Sequence, residues 1–175
     1  NMLLVTAAAL HAGLPPSDIE AALRCFSGVP HRLEPLGLVQ GMRVYNDSKA
    51  TNYAAAAVGL RAVAAPAVVL AGGQTKQGDA SEWLSLLKER AAAVVLFGHG
   101  ARELETLIAG ASFDGQVSLV DTLDAAVKEA LALSSGQPAQ ALLLSPACAS
   151  FDQYSNFEER GEHFRQLIDA AQGAS

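Results

Sequence analysis

Apolar positions along the 175 residues fall into two textures. At the start, Leu3, Leu4, Ala7, Ala8 and Leu10 recur at helical spacing as far as Gly13, a residue able to end a helix in the left-handed conformation. A second helix is predicted in "PPSDIEAALRCF", where Pro15 and Pro16 open it, Ser17 and Glu20 suggest a capping box, and Ile19, Leu23 and Phe26 share a face. From His31 the pattern changes to alternation, with Leu36, Leu38, Met42 and Val44 apolar on either side of Gln40-Gly41, which predicts a hairpin. Beyond it, short apolar runs alternate with helical patterns. Strands are expected at 67–71, 93–97, 117–120 and 141–145, and helices at 51–64, 80–90, 100–109, 122–134 and 157–172. The runs "AVVLA", "AVVLF" and "ALLLS" have no polar face, as expected of strands covered on both sides. The predicted fold class is α/β: a Rossmann-like, mostly parallel sheet with helices on both faces, preceded by two short helices.

Composition narrows the function. Half of the residues are apolar and 17% are charged, a balance that builds a packed core and is far from disorder. A formal net charge of -6 argues against nucleic acid and anionic membrane surfaces as partners. No apolar run approaches the roughly 18 to 20 residues of a membrane span. Cys25 and Cys148 lie far apart with no paired spacing, so neither a disulfide framework nor a zinc site is indicated, and a reducing cytoplasm is the expected location. The pattern at Asn1 begins inside a helix with no cap before it, which raises the expectation that the chain is cut from something longer.

In a parallel sheet, ligands gather beyond the carboxyl ends of the strands. The turns there are "NDSKATN", "AGGQTKQGD", "FGHGARE" and "SPACASFDQYSNFEERG". Each brings glycines, hydroxyls or a cation to the start of a helix, where free N–H groups and the helix dipole favour an anion. Lys49 and Lys76 would lie on that edge, and with the N–H groups after Ser150 they could hold a carboxylate or a phosphate. A plainer reading stands beside this one, because Asp47, Ser48 and Thr51 would equally serve as helix caps. "GGQTK" lacks the GxxxxGKS/T phosphate-loop pattern. Cys148 reads as a small buried residue rather than a nucleophile, His99 as a surface turn residue, and His31 with Arg32 as an exposed basic pair suited to a phosphate.

Taken together, "GVPHRLE", "VYNDSKATN", "LAGG" and "LLLSPACASFDQYSNFEERGEHF" resemble the C-terminal part of the Mur ligase family, closest to the members that add D-glutamate to UDP-N-acetylmuramoyl-L-alanine in peptidoglycan synthesis. The resemblance implies an ATP-dependent acid–D-amino-acid ligase. Residues 1–29 would be the closing helices of the central ATPase domain, and 30–175 the amino-acid-binding C-terminal domain. It also implies roles. Asn1, as the end of a His-Asn-x-x-Asn motif, Arg32 and Asp47 would meet ATP, with Arg32 at the phosphates or ribose and Asp47 at the ribose hydroxyls. Lys49, the implied catalytic residue, and Thr51 would face D-glutamate and the transferred phosphate. Ser150 and the Phe157 backbone would grip the distal carboxylate, and Lys76 would be a further carboxylate ligand.

One departure stands out: related ligases often carry an aspartate in the turn after "GG", whereas this chain has Gln74 and Thr75 before Lys76. By the same resemblance, ATP and Mg2+ serve the parent enzyme, and the phosphate loop and metal ligands lie outside this sequence. The expected partners are D-glutamate, ATP and, through the missing domains, UDP-N-acetylmuramoyl-L-alanine, in a monomeric protein. The 175-residue chain alone is then expected not to form the amide bond. Two alternatives remain at this point: a glutamate-adding ligase of the folylpolyglutamate synthase type, and a stand-alone nucleotide- or anion-binding module.

Overall fold

The computed structural model describes residues 2–134 and 139–173. Two helices, α1 (Met2–His11) and α2 (Pro16–Cys25), precede a hairpin of β1 (Glu34–Val39) and β2 (Met42–Asn46). There follow α3 (Tyr53–Ala62), β3 (Ala67–Gly72), α4 (Ser81–Arg90), β4 (Ala91–Phe97), α5 (Ala101–Gly110), β5 (Gln116–Val120), α6 (Leu123–Ser134), β6 (Ala141–Leu144) and α7 (Phe157–Gly173). The strands form one sheet in the order β1-β2-β6-β3-β4-β5, antiparallel only between β1 and β2. Every β3 residue and every β6 residue is buried, which explains why those runs carry no polar alternation.

Each face of the sheet carries its own core. On one side Tyr53, Ala56 and Leu60 of α3, Trp83 and Leu87 of α4, and Leu104 and Ile108 of α5 cover Val69, Val94, Leu96 and Leu143. On the other, Leu123, Ala126 and Val127 of α6 and Phe164 and Ile168 of α7 cover Val68, Val95, Leu142 and Leu144. The connection from β5 through α6 returns the chain to β6, between β2 and β3. The loop after β6 therefore leads to α7 on one face while the loops after its neighbours β2 and β3 lead to α3 and α4 on the other, the arrangement that places a crevice at the carboxyl edge.

Three local expectations are corrected. The Ser17–Glu20 capping box does not form: α2 starts from Pro15 with no side-chain cap, Ser17 Oγ donates to Asp18, and Glu20 instead holds Arg24. A proline at the first turn needs no N–H partner, so the cap is dispensable. In the hairpin, Gln40 and Gly41 both take positive φ, 49° and 82°, as a two-residue turn of this hand requires. The simple alternation fails upstream, however, because the register shifts between Pro35 and Leu38, leaving Leu38 61% exposed while Val39 is buried. The third concerns "NDSKATN", whose capping residue is Asn52, with its side chain accepting from Ala55 N–H. Asp47, Ser48 and Thr51 do not cap α3.

Candidate functional site

Because β2, β6 and β3 are adjacent and parallel, the turns that follow them emerge side by side at one edge. Lys49 and Thr51 follow β2, Lys76 follows β3, and Ser150 and Phe157 follow β6. Hydrogen bonds then fasten the turns to one another. Gln74 and Ala149 exchange backbone bonds of 2.9 Å in each direction, and Gly72 N–H donates to Pro146 O at 2.9 Å. Gly73, at φ 123°, passes so close to Ala149 O that a Cβ there would collide with it, so the turn needs glycine.

A buried arginine completes the junction. Arg160, fully buried on α7, donates from Nε to Ser48 Oγ at 3.0 Å, from Nη2 to Ser48 O at 2.8 Å and from Nη1 to Cys148 O at 3.1 Å. Burial pulls its pKa down to about 10, which still leaves it charged at neutral pH. Ser48 Oγ in turn donates to Phe157 O at 2.8 Å. One guanidinium thus ties the turn after β2 to the turn after β6 and to the first turn of α7. Asn46, also fully buried, adds bonds of 3.0 Å to Gly161 O and to His31 Nδ1, while its own Oδ1 accepts from Ser48 N–H. With the amide oriented by Ser48, Asn46 turns its Nδ2 to His31 Nδ1.

Asp47 is 5% exposed, and its carboxylate accepts from Leu33 N–H at 3.1 Å and Ser145 Oγ at 3.1 Å. Burial pushes it up to about 6, against the pull of those two bonds and of the Arg32 charge. Arg32 itself is exposed, beside the groove between α1 and α2. His31 is the opposite of the exposed residue expected: it is 8% exposed, packs edge-on against Phe157, and lies where Gly161 leaves room for its ring. The basic pair is therefore split between a core position and a solvent position. Both His31 and Ala147 hold positive φ, 61° and 57°, strained for residues with a Cβ and sited on the two segments that border this edge.

Lys49 Nζ sits 4.2 Å from the centroid of the Phe157 ring, an aromatic support that holds the ammonium at the edge without neutralising it. Among the described residues Arg32, Lys49 and Lys76 form no ion pair, whereas Arg24, Arg61, Arg102 and Arg165 each reach a carboxylate. Ser150 is buried, and its carbonyl accepts from Gln153 and Tyr154 N–H, shaping the run into α7. That helix starts with Asn156 Oδ1 accepting Glu159 N–H at 2.7 Å while Glu159 reaches back to Ser155 N–H at 2.8 Å. The first N–H groups after Asn156 are left for another acceptor. Cys148, as expected, is buried, and burial pushes its thiol up to about 12. His99 is exposed, with its N–H held by Asp152. Asn1 lies outside the described residues.

Sequence reasoning missed Arg160, Asn46 and His31 as the residues that assemble this edge. The signal available was a charged residue, Arg160, on the face of α7 that also carries Phe164 and Ile168. The arrangement can hold an elongated dianion: ammonium groups come from Lys49 and Lys76, and N–H donors come from a helix start. Among the described residues no group of three or more His, Cys, Asp or Glu side chains is placed to hold a metal ion.

The Mur ligase, glutamate ligase domain family matches residues 31–148. The chain is 64% identical over 170 residues to a UDP-N-acetylmuramoylalanine–D-glutamate ligase of Prochlorococcus marinus, covering 97% of this chain and 37% of that relative. A relative of the same name from Synechococcus elongatus is 47% identical over 170 residues, again with 97% and 37% covered. The chain thus spans a little over a third of the length of these relatives. Among solved structures, UDP-N-acetylmuramate–alanine ligase of Thermotoga maritima aligns with TM-score 0.62 at 16% identity, covering 99% of this chain and 37% of that one. Folylpolyglutamate synthase of Mycobacterium tuberculosis aligns with TM-score 0.60 at 18% identity, over 88% and 35%. At those identities the two structures speak for the fold.

Proposed function

We propose, from the premise that this chain belongs to the Mur ligase family through its glutamate ligase domain, that it is the amino-acid-binding part of an ATP-dependent ligase that joins D-glutamate to UDP-N-acetylmuramoyl-L-alanine. Relatives named for that reaction, at 64% and 47% identity, favour it over the folylpolyglutamate reading, whose support is a fold shared at 18% identity. The boundary of the unit falls near Pro30, since the family match starts at residue 31 and α1 contributes no buried residue. In this reading the protein works as a monomer in the cytoplasm. Among the described residues no helix is long and apolar enough to cross a membrane.

The observation that carries the reading is the fastening of three turns into one edge with cations left uncommitted. D-glutamate brings two carboxylates. In this proposal Ser150 and the Phe157 N–H receive the distal one, and Lys76 the other. Lys49, held over Phe157, and Thr51 face the amino acid and the phosphoryl group, where Lys49 offsets charge as the amine attacks an acyl phosphate. Arg32, exposed and without an ion pair, suits the phosphates or ribose of ATP. Asp47 has a carboxylate close enough to Arg32 to feel its charge, and it accepts from the ribose hydroxyls. ATP supplies the phosphoryl group that activates the acceptor's carboxylate.

The test is Lys49→Ala in the full-length enzyme, assayed for amide formation with ATP, UDP-N-acetylmuramoyl-L-alanine and D-glutamate. Activity is expected to fall at least about a hundredfold, while stability changes by less than about 1 kcal/mol, the scale of an exposed cation–π contact. A loss of fold in proportion to the loss of activity would return Lys49 to a structural role.

A further inference from the structure

The amino acid proposed for this site carries an ammonium group as well as two carboxylates, and the turn that bears Lys76 reads Gly73-Gln74-Thr75-Lys76 at its head, with its one acid, Asp79, three residues later. The structure brings another from a different element. Thr75 Oγ1 donates to Glu103 Oε2 at 2.7 Å, across 28 residues of sequence. The approach is built into the backbone, because Gly100 N–H donates to Gly73 O at 2.8 Å and pins the start of α5 to the turn. A Cβ at Gly100 would run into the Thr75 side chain and Gly73 O, so the two segments meet closely only because that residue is glycine. Glu103 then stands in the first turn of α5.

Glu103 and Lys76 line one hollow of about 400 Å³, together with Tyr53, Asp79 and Ser81 and with Leu84 and Leu107 as its apolar wall. A cation and an anion facing one concavity suit a zwitterion rather than a simple anion. Of the other acids nearby, Asp79 turns its Oδ1 to both the N–H and the hydroxyl of Ser81 at the start of α4, and Asp152, which accepts His99 N–H, does not line this hollow. Glu103 is oriented by a single bond at Oε2, and its Oε1 accepts none among the described residues.

We infer that Glu103 is a specificity-determining residue of the amino-acid site, whose carboxylate, steadied by Thr75, receives the ammonium group of the incoming amino acid beside Lys76. This deepens the reading of the site as a D-glutamate site and rests on it. The role is separable from the grip on the carboxylates, because glutarate has the same two carboxylates and no amine.

The experiment is calorimetric titration of the 175-residue chain and its Glu103→Gln variant with D-glutamate and with glutarate. The unsubstituted chain should bind D-glutamate more tightly than glutarate. The variant should lose about tenfold for D-glutamate, the scale of one charge-assisted hydrogen bond, and change less than about twofold for glutarate. Equal losses for both ligands, or none for D-glutamate, would overturn the assignment and leave the diacid site standing. Binding of neither ligand by the unsubstituted chain would remove the site reading itself, and Glu103's role with it.

Discussion

The helices α1 and α2 and the parallel sheet carry comparable apolar side chains and use them in opposite ways. In α1, Met2, Leu3, Leu4, Val5 and Leu10 are all about half exposed or more, as is Phe26 just past α2, and Ile19 is the sole buried residue of the two helices. Met2, Val5, Ile19 and Phe26 line an open groove of about 740 Å³. In the sheet region, Leu70, Leu96, Leu104 and Leu144 are fully buried between layers. Helical periodicity therefore reports which residues can form a helix, and burial depends on whether a second layer arrives to cover the apolar stripe. The polar residues repeat the lesson. Glu20 and Arg24 pair on an exposed helix surface, whereas Arg160 and Asn46 are fully buried and the bonds their side chains donate join segments apart in sequence.

The contrast is most sharply broken or upheld by core truncation. Leu104→Ala should destabilise the protein by about 4 kcal/mol in chemical denaturation, the sum of lost transfer energy and a cavity that a two-layered core cannot collapse. A cost below about 1 kcal/mol would mean that the α3–α5 layer is as loosely covered as α1. Next comes Arg160→Met, which keeps volume but strands Ser48 O and Cys148 O. It should cost about 3 kcal/mol, and hydrogen exchange should show the turns after β2 and β6 loosening together.

Asp47 tests the junction by pH. Its folded pKa, about 6, lies above the ordinary 3.8, so its favourable contribution is complete below pH 3.8 and is lost as pH rises through about 6. Asp47→Asn mimics the protonated form. The variant should be about 2 kcal/mol more stable than the parent at pH 8, with the difference vanishing by pH 4, when urea unfolding is followed across that range. A variant less stable at pH 8 would show that the ionised carboxylate's bonds to Leu33 and Ser145 outweigh its desolvation. The smallest effect is expected in α1, where Leu3→Ala should change stability by less than about 0.5 kcal/mol, since Leu3 is 87% exposed.

Much of the candidate site was legible before any coordinates. "NDSKATN", "GGQTK" and "SPACAS" were recognisable as strand-to-helix turns because each follows a run of β-type apolar residues and precedes helical spacing. What could not be read was the division of labour inside "NDSKATN". Asp, Ser and Thr at a helix start look alike in sequence, yet Asn52 does the capping, Asp47 and Ser48 tie the sheet edge together, and Lys49 stays uncommitted over Phe157. His31 was misplaced for the same reason: its burial depends on Asn46, Phe157 and Gly161, all remote in sequence from His31 except through the fold.

The sequence by itself determined the alternation of strands and helices, the burial of β3 and β6 on both faces, and the presence of cations in the turns, because these follow from local periodicity and from residue chemistry. Only the tertiary structure decided which turns are neighbours, that Arg160 links two of them, that Glu103 lines the same hollow as Lys76, and that α1 keeps its leucines exposed. Each of those facts depends on the strand order β1-β2-β6-β3-β4-β5, and strand order is set by long-range pairing and layer packing that no short window of residues encodes.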